Sequence, residues 1–457
     1  MTNPIRFVAV VDIGKTNAKL ALVDLFSIRE TAIRRMPNRV RRDGLYPHHD
    51  LEALWRFILE GLTELNRETP VDAVSVTTHG ATVVVLDADG ALALPVPDYE
   101  HDGPDELADA YDRVRPPFTE TGSPRLPVGL NYGAQLFWQQ MRFPDEWARV
   151  KTILPYAQYW SYRLSGVIAG EATSLGCHSD LWNPWEKKPS SLAESQGWVP
   201  LMAPVHQASD RLGPILRDVA QATGLRPDTP VFCGIHDSNA SLLPHLLANR
   251  PPFSVVSTGT WVIAMAVGGQ ALSLDPMRDT LVNVSALGEP VPSARFMGGR
   301  EYEVLMGSEA VSWGEADVAM VIERQAMLLP SVQAGSGPFP HRASAWVNGD
   351  DLSTAQRYVA VSFYLALMTV TCLDLIGAEG ETILEGSFTQ NPLFARMLAS
   401  ATGRPVRVAA SGGTGTSIGA ALLAAPDGAR FSEEGRVIAP EPAFAPYAET
   451  WKQKVEG

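Results

Sequence analysis

Three short segments of this 457-residue chain combine glycine with polar side chains at the ends of apolar runs. They are residues 11–19 (VDIGKTNAK), 234–240 (GIHDSNA) and 257–261 (STGTW). The first two each place an aspartate, Asp12 or Asp237, where an apolar strand meets a turn of small or polar residues. One carboxylate could hold a metal-bound nucleotide, the other could take a proton from a hydroxyl, and backbone amides could hold a phosphate. The set predicts phosphoryl transfer to a small molecule.

Asp237 is the candidate general base. It follows the apolar run 231–234, so it is predicted at the carboxyl end of a strand, where open α/β sheets bind ligands. His236 beside it is a candidate ligand contact. Two alternatives stay open: Asp237 could cap the helix that begins near Ser238, and His236 could be a half-buried histidine at a strand end.

Asp12 is predicted to hold Mg²⁺ through water, next to a turn whose amides and cations approach a polyphosphate. The candidate phosphate-binding residues of this turn are Gly14, Lys15, Thr16, Asn17 and Lys19. The Gly-Lys-Thr sequence does not form a P-loop, because position 9 is Ala and the Lys-Thr pair leads into another strand. The alternative is a surface hairpin with Asp12 as a turn former.

Further candidates lie in both halves of the chain. Near a transferring phosphate we expect Thr258, Gly259 and Thr260, and around adenosine we expect Gly386, Asn391 and Gly413. As sugar contacts we expect His79 and Gly80, between two strands, and Asp98 and Tyr99, beyond the second of them. Ordinary turns, helix-packing glycines and a solvated loop are the competing interpretations.

The composition excludes several classes of protein. With 37 basic and 51 acidic residues and a formal charge of -14, the chain is not expected to bind nucleic acid. Its three cysteines are far apart, and its nine histidines lack zinc-ligand spacing, so neither disulfides nor structural zinc are predicted. The sequence shows no signal segment and no apolar run of about 18 residues, which predicts a cytoplasmic protein without a membrane partner. A monomer or homodimer is expected.

Strand and helix patterns alternate, so the predicted class is α/β. Residues 6–24 and 253–267 both indicate a strand, a small-residue turn and a second strand, which suggests duplicated domains. Residues 249–252 are a linker, and this predicts an N-terminal domain, 1–248, with the catalytic aspartate and the sugar site, and a C-terminal nucleotide-binding domain, 249–457. The polar segment after residue 425 is expected to lie at the periphery.

The ordered motifs resemble those of the FGGY family of carbohydrate kinases, most closely rhamnulokinases and next fuculokinases. The resemblance rests on residues 12–19 (DIGKTNAK), 78–87 (THGATVVVLD), 159–166 (YWSYRLSG), 236–237 (HD), 257–261 (STGTW) and 386–391 (GSFTQN). It implies two duplicated actin-like ATPase (ribonuclease H-like) domains with a cleft between them, ATP and Mg²⁺, and Asp237 as general base. Residues 99–103 (YEHDG) differ from the Arg-Asp-x-Arg element usual in rhamnulokinases, and Lys15 stands where many relatives have a smaller residue.

The sequence therefore predicts an ATP-dependent kinase for a ketose or deoxyketose similar to L-rhamnulose. L-fuculose, ribulose, xylulose, erythrulose or a polyol are alternative substrates. An actin-like ATPase or a phosphohydrolase is the alternative of another class.

Overall fold

The computed structural model describes residues 4–307, 310–410, 415–426 and 435–456. They form two compact units. The first unit comprises the described residues of Met1–Leu247, Val282–Pro290 and Gly413–Phe431, and the second unit those of Ala248–Leu281, Val291–Gly412 and Ser432–Gly457.

The first part of the chain alternates strands and helices. Its elements are β1 (Phe7–Ile13), β2 (Asn17–Asp24), β3 (Arg29–Pro37), β4 (Val40–Arg41), β5 (His48–His49), α1 (Leu51–Glu68), β6 (Ala73–Thr78), β7 (Val83–Leu86), α2 (Ala108–Asp112), α3 (Phe118–Thr121), α4 (Tyr132–Arg142), α5 (Pro144–Trp147), β8 (Thr152–Pro155), α6 (Tyr156–Ser165), β9 (Gly170–Glu171), α7 (Ala172–Leu175), β10 (Trp182–Asn183), β11 (Lys188–Pro189), α8 (Ser191–Ser195), β12 (Val205–His206), β13 (Arg211–Pro214), α9 (Arg217–Thr223), β14 (Pro230–Phe232), β15 (Ile235–His236) and α10 (Asp237–Ala248).

The later part repeats this alternation. Its elements are β16 (Phe253–Thr258), β17 (Val262–Val267), β18 (Thr280–Val284), β19 (Pro290–Phe296), α11 (Gly298–Met306), α12 (Glu315–Arg324), β20 (Met327–Leu329), β21 (Ala345–Val347), α13 (Thr354–Leu375), β22 (Glu381–Gly386), α14 (Pro392–Thr402), β23 (Val406–Ala409), α15 (Thr416–Leu422), β24 (Gly435–Ile438) and α16 (Ala445–Glu456).

The two units share a sheet topology, which confirms the predicted duplicated α/β fold. In the first unit β3, β2 and β1 pair antiparallel, and β6 then pairs parallel with β1. In the second unit β19, β17 and β16 pair antiparallel, and β22 pairs parallel with β16. Both sheets thus begin with an antiparallel hairpin whose turn lies at the carboxyl end of a central strand.

Local sequence explains the elements that position these turns. β1 begins with the apolar run 7–11, which includes four successive buried residues, as expected for a central strand covered on both faces. α1 buries Leu51, Leu54, Ile58, Leu62 and Leu65, spaced three or four residues apart, and the Asp50 side chain caps it by accepting from the amide of Ala53.

Helix α13 corrects one expectation about apolar segments. Its length and hydropathy are sufficient for a membrane span, contrary to the expectation that no segment would reach that size. However, 83% of its most apolar 18-residue window is buried inside the protein. Residues all around the helix lie in the core of the second unit, and a helix that is apolar all round is typical of such a position.

Helix α16 corrects the expectation of a peripheral C-terminal segment. Tyr447 and Trp451 are buried, and they donate to the carbonyl oxygens of Ala326 at 2.7 Å and Leu328 at 2.8 Å. The overall polarity of the segment was misleading, because its apolar residues fall on one helical face that packs on the core.

Candidate functional site

Asp237 lies at the carboxyl end of the first unit's central strands. β15 pairs in parallel with the end of β6, His236 opposite Thr78, and Asp237 is the first residue of α10. Its Oδ1 accepts from the amide of Ser238 at 2.6 Å rather than from an amide further along the helix, so the bond is not a standard N-cap. The side chain remains 32% exposed. A ligand can therefore reach the carboxylate.

The surroundings make Asp237 a better proton acceptor than an ordinary aspartate. Burial raises its pKa, and the neighbouring His79 and the hydrogen bonds from Ser238 oppose this rise. Burial also lowers the pKa of His79 and brings that of His236 down to about 4, so both imidazoles favour the neutral form. A carboxylate with a raised pKa takes a proton more readily from a hydroxyl.

His79 and Gly80 lie close to this carboxylate. The His79 ring is 5.3 Å from the Tyr99 ring, and the Asp237 charge contributes to raising the pKa of Tyr99 to about 12, mainly an effect of burial. A Cβ at Gly80 would be 2.8 Å from Nε2 of His236, so glycine allows the loop after β6 to approach that ring. The structure therefore brings together four of the predicted ligand contacts, namely His79, Gly80, Tyr99 and His236.

Asp98 and Lys15 form an ion pair at the same side of this unit. Lys15 Nζ also lies 3.3 Å from Glu100 Oε2 and 4.6 Å from the centre of the Tyr99 ring. Asp98 is buried and accepts in addition from the amide of Glu100 at 3.1 Å. The amine of Lys15, which was predicted to approach phosphate, is thus held by carboxylates beside the predicted sugar contacts.

Asp12 lies at the end of β1, near the cation expected beside it. Its Oδ2 is 3.2 Å from Nζ of Lys19 and accepts from the hydroxyl of Ser417 at 3.1 Å. Burial raises the pKa of Asp12, Lys19 opposes the rise, and the Asp237 charge adds to it. Within the described residues Oδ1 receives no hydrogen bond, so it is available to a water on Mg²⁺, an ion that typically keeps several waters. This carboxylate fits the predicted role.

The turn after Asp12 is a tight hairpin. The amide of Gly14 donates to the carbonyl of Asn17 at 2.9 Å, and Thr16 and Asn17 are exposed at the tip. The side-chain amide of Asn17 donates to the Thr16 hydroxyl at 3.1 Å. Because β2 follows the turn directly, the geometry agrees with the rejection of a P-loop, which would require a helix here.

In the corresponding turn of the second unit, the three candidates Thr258, Gly259 and Thr260 have different surroundings. Gly259 and Thr260 are exposed between β16 and β17. Thr258 is buried, and its hydroxyl donates to the carbonyl of Glu385 at 2.6 Å and accepts from the amide of Phe388 at 2.9 Å. Thr258 therefore supports the turn. The amide of Gly259 donates to the carbonyl of Trp261 at 2.9 Å, which leaves the exposed Thr260 as the candidate that can contact a phosphate.

The three adenosine candidates also differ. Gly386 has φ +85, and a Cβ there would be 2.0 Å from the carbonyl oxygen of Thr258, so only glycine fits where β22 ends beside β16. The Asn391 amide group donates to Ser362 Oγ at 2.9 Å and accepts from the Phe394 amide at 3.1 Å, which makes Asn391 the N-cap of α14. Gly413 lies outside the described residues.

Several residues at the site were not predicted. The side chain of Asn239 hydrogen-bonds to His236, and Ser417 contacts Asp12. The rings of His49 and Tyr156 pack on the ring of His79, with ring centres 5.4 and 5.3 Å away. The spacing of three between 236 and 239 at a helix start could have indicated Asn239. Ser417 had no such signal, since 405 residues separate it from Asp12.

Two family models match the chain, one in each half. Residues 7–244 match the N-terminal domain of the FGGY family of carbohydrate kinases, and residues 250–432 match the carbohydrate kinase FGGY C-terminal domain. The chain belongs to the FGGY family of carbohydrate kinases. Kinases of this family transfer a phosphoryl group to an alcohol.

Individual relatives are similar along all or part of the chain. A carbohydrate kinase from Novosphingobium aromaticivorans is 38% identical, with a TM-score of 0.92 over 99% of both chains. A xylulose kinase from Rhodospirillum rubrum shares the fold, with 20% identity and a TM-score of 0.78 over 99% of this chain and 98% of that one. The L-fuculokinase of Salmonella typhi is 24% identical over 275 residues, 58% of this chain and 57% of that protein, so the match spans just over half of its length.

Proposed function

We propose that this chain is an ATP-dependent kinase that phosphorylates a hydroxyl of a neutral ketose or deoxyketose, with a sugar similar to L-rhamnulose as the first candidate. The observation that carries the proposal is the reachable carboxylate of Asp237 at the carboxyl ends of β6 and β15, with a pKa raised by burial. The other ketoses named above, L-fuculose, ribulose, xylulose and erythrulose, are the alternatives.

Charge at the site supports a neutral substrate. Asp98, Glu100 and Asp237 provide three carboxylates near one ammonium group, that of Lys15. A sugar acid would add a negative charge to a region where carboxylates already outnumber ammonium groups, and like charges in a partly buried site repel. Hydroxyl groups can instead donate to the carboxylates and accept from the lysine.

The proposed chemistry needs little covalent participation by the protein. Phosphoryl transfer depends mainly on positioning and charge neutralisation, with a base for the hydroxyl proton. Asp237 accepts that proton, and Asp12 would hold a water on Mg²⁺. The amides of Gly14 and Gly259 donate within their own turns, so Lys15, Thr16 and Asn17 in the first unit and Thr260 in the second are the turn residues proposed to contact phosphate. Bound Mg²⁺ would offset charge on those phosphates.

The assignment of the N-terminal domain, 1–248, to sugar and catalysis and of the C-terminal domain, 249–457, to nucleotide is part of this proposal. Its support is the grouping of Asp237, His79, Tyr99, Asp98 and Lys15 in the first unit. In the second unit, Gly386 and the turn at 259–260 offer the exposed glycine-containing backbone suited to a nucleotide.

The test is ADP release measured with a panel of ketoses, polyols and sugar acids. We expect one neutral ketose to stimulate release strongly, and Asp237→Asn to lower sugar-dependent kcat by about 1000-fold or more while MgATP still binds. Asp218→Asn, at an exposed position of α9, is the matched control and should retain full activity.

Two results would overturn the proposal. Sugar-independent ADP release that no ketose increases would favour an ATPase or phosphohydrolase. Retention of most sugar-dependent turnover by Asp237→Asn would remove Asp237 from the role of base.

A further inference from the structure

The strand that leads to Asp237 is interrupted. β14 ends at Phe232, β15 begins at Ile235, and both pair with β6 on either side of the interruption. Gly234, between them, has φ +89, and a Cβ there would lie 2.7 Å from the carbonyl oxygen of Val76. Only glycine allows this close approach. The backbone just before Asp237 is therefore not held by a continuous ladder of strand hydrogen bonds.

Side chains of α6 bond to the carbonyl groups of the interruption. Gln158 Nε2 donates to the carbonyl oxygens of Cys233 at 3.2 Å and Gly234 at 3.1 Å. Ser161 Oγ lies 2.9 Å from the carbonyl oxygen of Cys233, closer than its 3.4 Å contact within its own helix. Both side chains are fully buried and lie on one face of α6, three residues apart. They replace the partners that a continuous strand would provide.

A hydroxyl of α7 bonds to the backbone on the other side of the interruption. The amide of His236 donates to Thr173 Oγ1 at 3.1 Å, and the Thr173 hydroxyl donates to Oε2 of Glu171 at 2.6 Å. Thr173 and Glu171 are both buried. Because a hydroxyl can donate once and still accept, Thr173 connects the carboxylate to the peptide next to Asp237.

We propose that Gln158, Ser161 and Thr173 are positioning residues that hold the interrupted segment 233–236 and thereby fix the carboxylate of Asp237 for proton transfer from the sugar hydroxyl. The inference rests on the proposed kinase function. It also gives a task to the motif 159–166, which the proposed chemistry does not use. The three side chains are buried, so they act through the backbone that precedes the base. Misplacement of a reacting group by about 1 Å can cost about 100-fold in rate.

The first test is Thr173→Val, which keeps the shape of the side chain and removes the hydroxyl. We expect kcat to fall about 10- to 100-fold, because the segment before Asp237 loses a fixed contact. The KM values for sugar and MgATP should change less than about threefold, since no ligand contact is removed. Thr173→Ser retains the hydroxyl and should return kcat to within about threefold of the wild type.

Thr223→Val in α9 is the matched control. Thr223 is also a buried threonine of the first unit, and in the described part of the chain its hydroxyl bonds only within residues 219–225. This variant should lower the thermal midpoint and leave kcat unchanged when the assay is run well below that midpoint. A fall in kcat equal to that of Thr173→Val would show general damage and would overturn the positioning role.

Ser161→Ala tests the segment from the side of α6. Gln158 still bonds to the same carbonyl group in this variant, so kcat should fall by less, about 3- to 10-fold, with unchanged KM values. Wild-type kcat in both Ser161→Ala and Thr173→Val would contradict the inference. So would a sugar KM raised tenfold or more at wild-type kcat, because the segment would then shape the sugar pocket and not place the base.

A double variant separates this inference from the proposed function. If Thr173 acts through Asp237, adding Thr173→Val to Asp237→Asn should not lower the residual rate further. An independent, multiplicative loss would overturn the positioning role while leaving Asp237 as base. Retained activity of Asp237→Asn alone would instead overturn the proposed function.

Discussion

At the scale of single residues, the environments of the two aspartates suit different tasks. Burial raises the pKa of both carboxyls, but Asp12 has the Lys19 ammonium group at 3.2 Å, whereas Asp237 is held by neutral donors. A fixed cation favours the charged form, which suits a carboxylate that orients metal-bound water. Neutral donors hold the carboxylate of Asp237 in place and lower its pKa less than a fixed cation would, which suits a proton acceptor.

Lys15 and Lys19 provide a matched pair for testing which lysine serves the sugar. Lys15→Met removes the ammonium group held by Asp98 and Glu100, so we expect sugar KM to rise about tenfold and MgATP KM to change less than about threefold. Lys19→Met should instead raise the Mg²⁺ and ATP requirements, because Lys19 contacts Asp12. Steady-state kinetics with each substrate varied in turn distinguishes the two variants.

The opposite pattern would contradict this assignment. If Lys15→Met raised MgATP KM more than sugar KM, Lys15 would be the phosphate contact that its position in the turn first suggested. The Tyr99 ring and the buried Asp98 would then form a structural contact only.

At the scale of elements, each unit depends on close approach between its own strand ends. Gly80 allows the loop after β6 to reach His236, and Gly386 allows the end of β22 to lie against the end of β16. Each unit then presents an antiparallel hairpin turn at the carboxyl end of a parallel strand pair. The helices cover the sheets and hold these turns at fixed positions.

Helix α16 is an element whose contribution can be measured. Trp451 is buried, and its ring packs edge-on against Phe339 with centres 6.1 Å apart. Trp451→Ala should lower the free energy of unfolding by about 3–5 kcal/mol, through lost burial and a cavity. Glu449→Ala, on the exposed face of the same helix, should change it by less than about 0.5 kcal/mol.

Denaturant unfolding followed by circular dichroism provides the measurement for both variants. A transition midpoint for Trp451→Ala equal to that of Glu449→Ala would mean that the helix is peripheral, as the polarity of the segment had suggested.

At the scale of the whole molecule, many buried polar groups affect stability. Among them, Glu171 is expected to make the free energy of unfolding depend on pH. The Glu171 carboxylate is buried and accepts from the amides of Thr173 at 2.8 Å and Ser174 at 3.1 Å. Burial nevertheless raises its pKa from 4.5 to about 7. Between these values the folded chain retains a proton that the unfolded chain has released, so the free energy of unfolding falls as pH rises.

Glu171→Gln tests this dependence because glutamine has a similar shape and does not titrate. The free energy of unfolding of the wild type minus that of the variant should fall between pH 5 and pH 8, by up to about 3 kcal/mol. Denaturation curves of both proteins at each pH provide the difference. A difference that stays constant or increases with pH would show that the hydrogen bonds to the carboxylate outweigh its burial.

The sequence by itself determined the elements whose causes are local. The hairpins around residues 14–17 and 259–261, helix α1 and helix α13 follow from apolar periodicity, capping and turn residues, which act between neighbours in the chain. The order of the motifs also determined the FGGY family and singled out Asp12 and Asp237. The outline of the chemistry therefore needed no coordinates.

Only the tertiary structure decided which atoms each side chain contacts. It placed Lys15 on Asp98, used the hydroxyl of Thr258 and the amide of Asn391 for internal support, and brought Ser417 to Asp12. These contacts join residues tens to hundreds of positions apart or depend on side-chain direction. A local pattern fixes where a strand ends, but the partner of a polar atom there depends on which distant backbone the folded chain packs beside it.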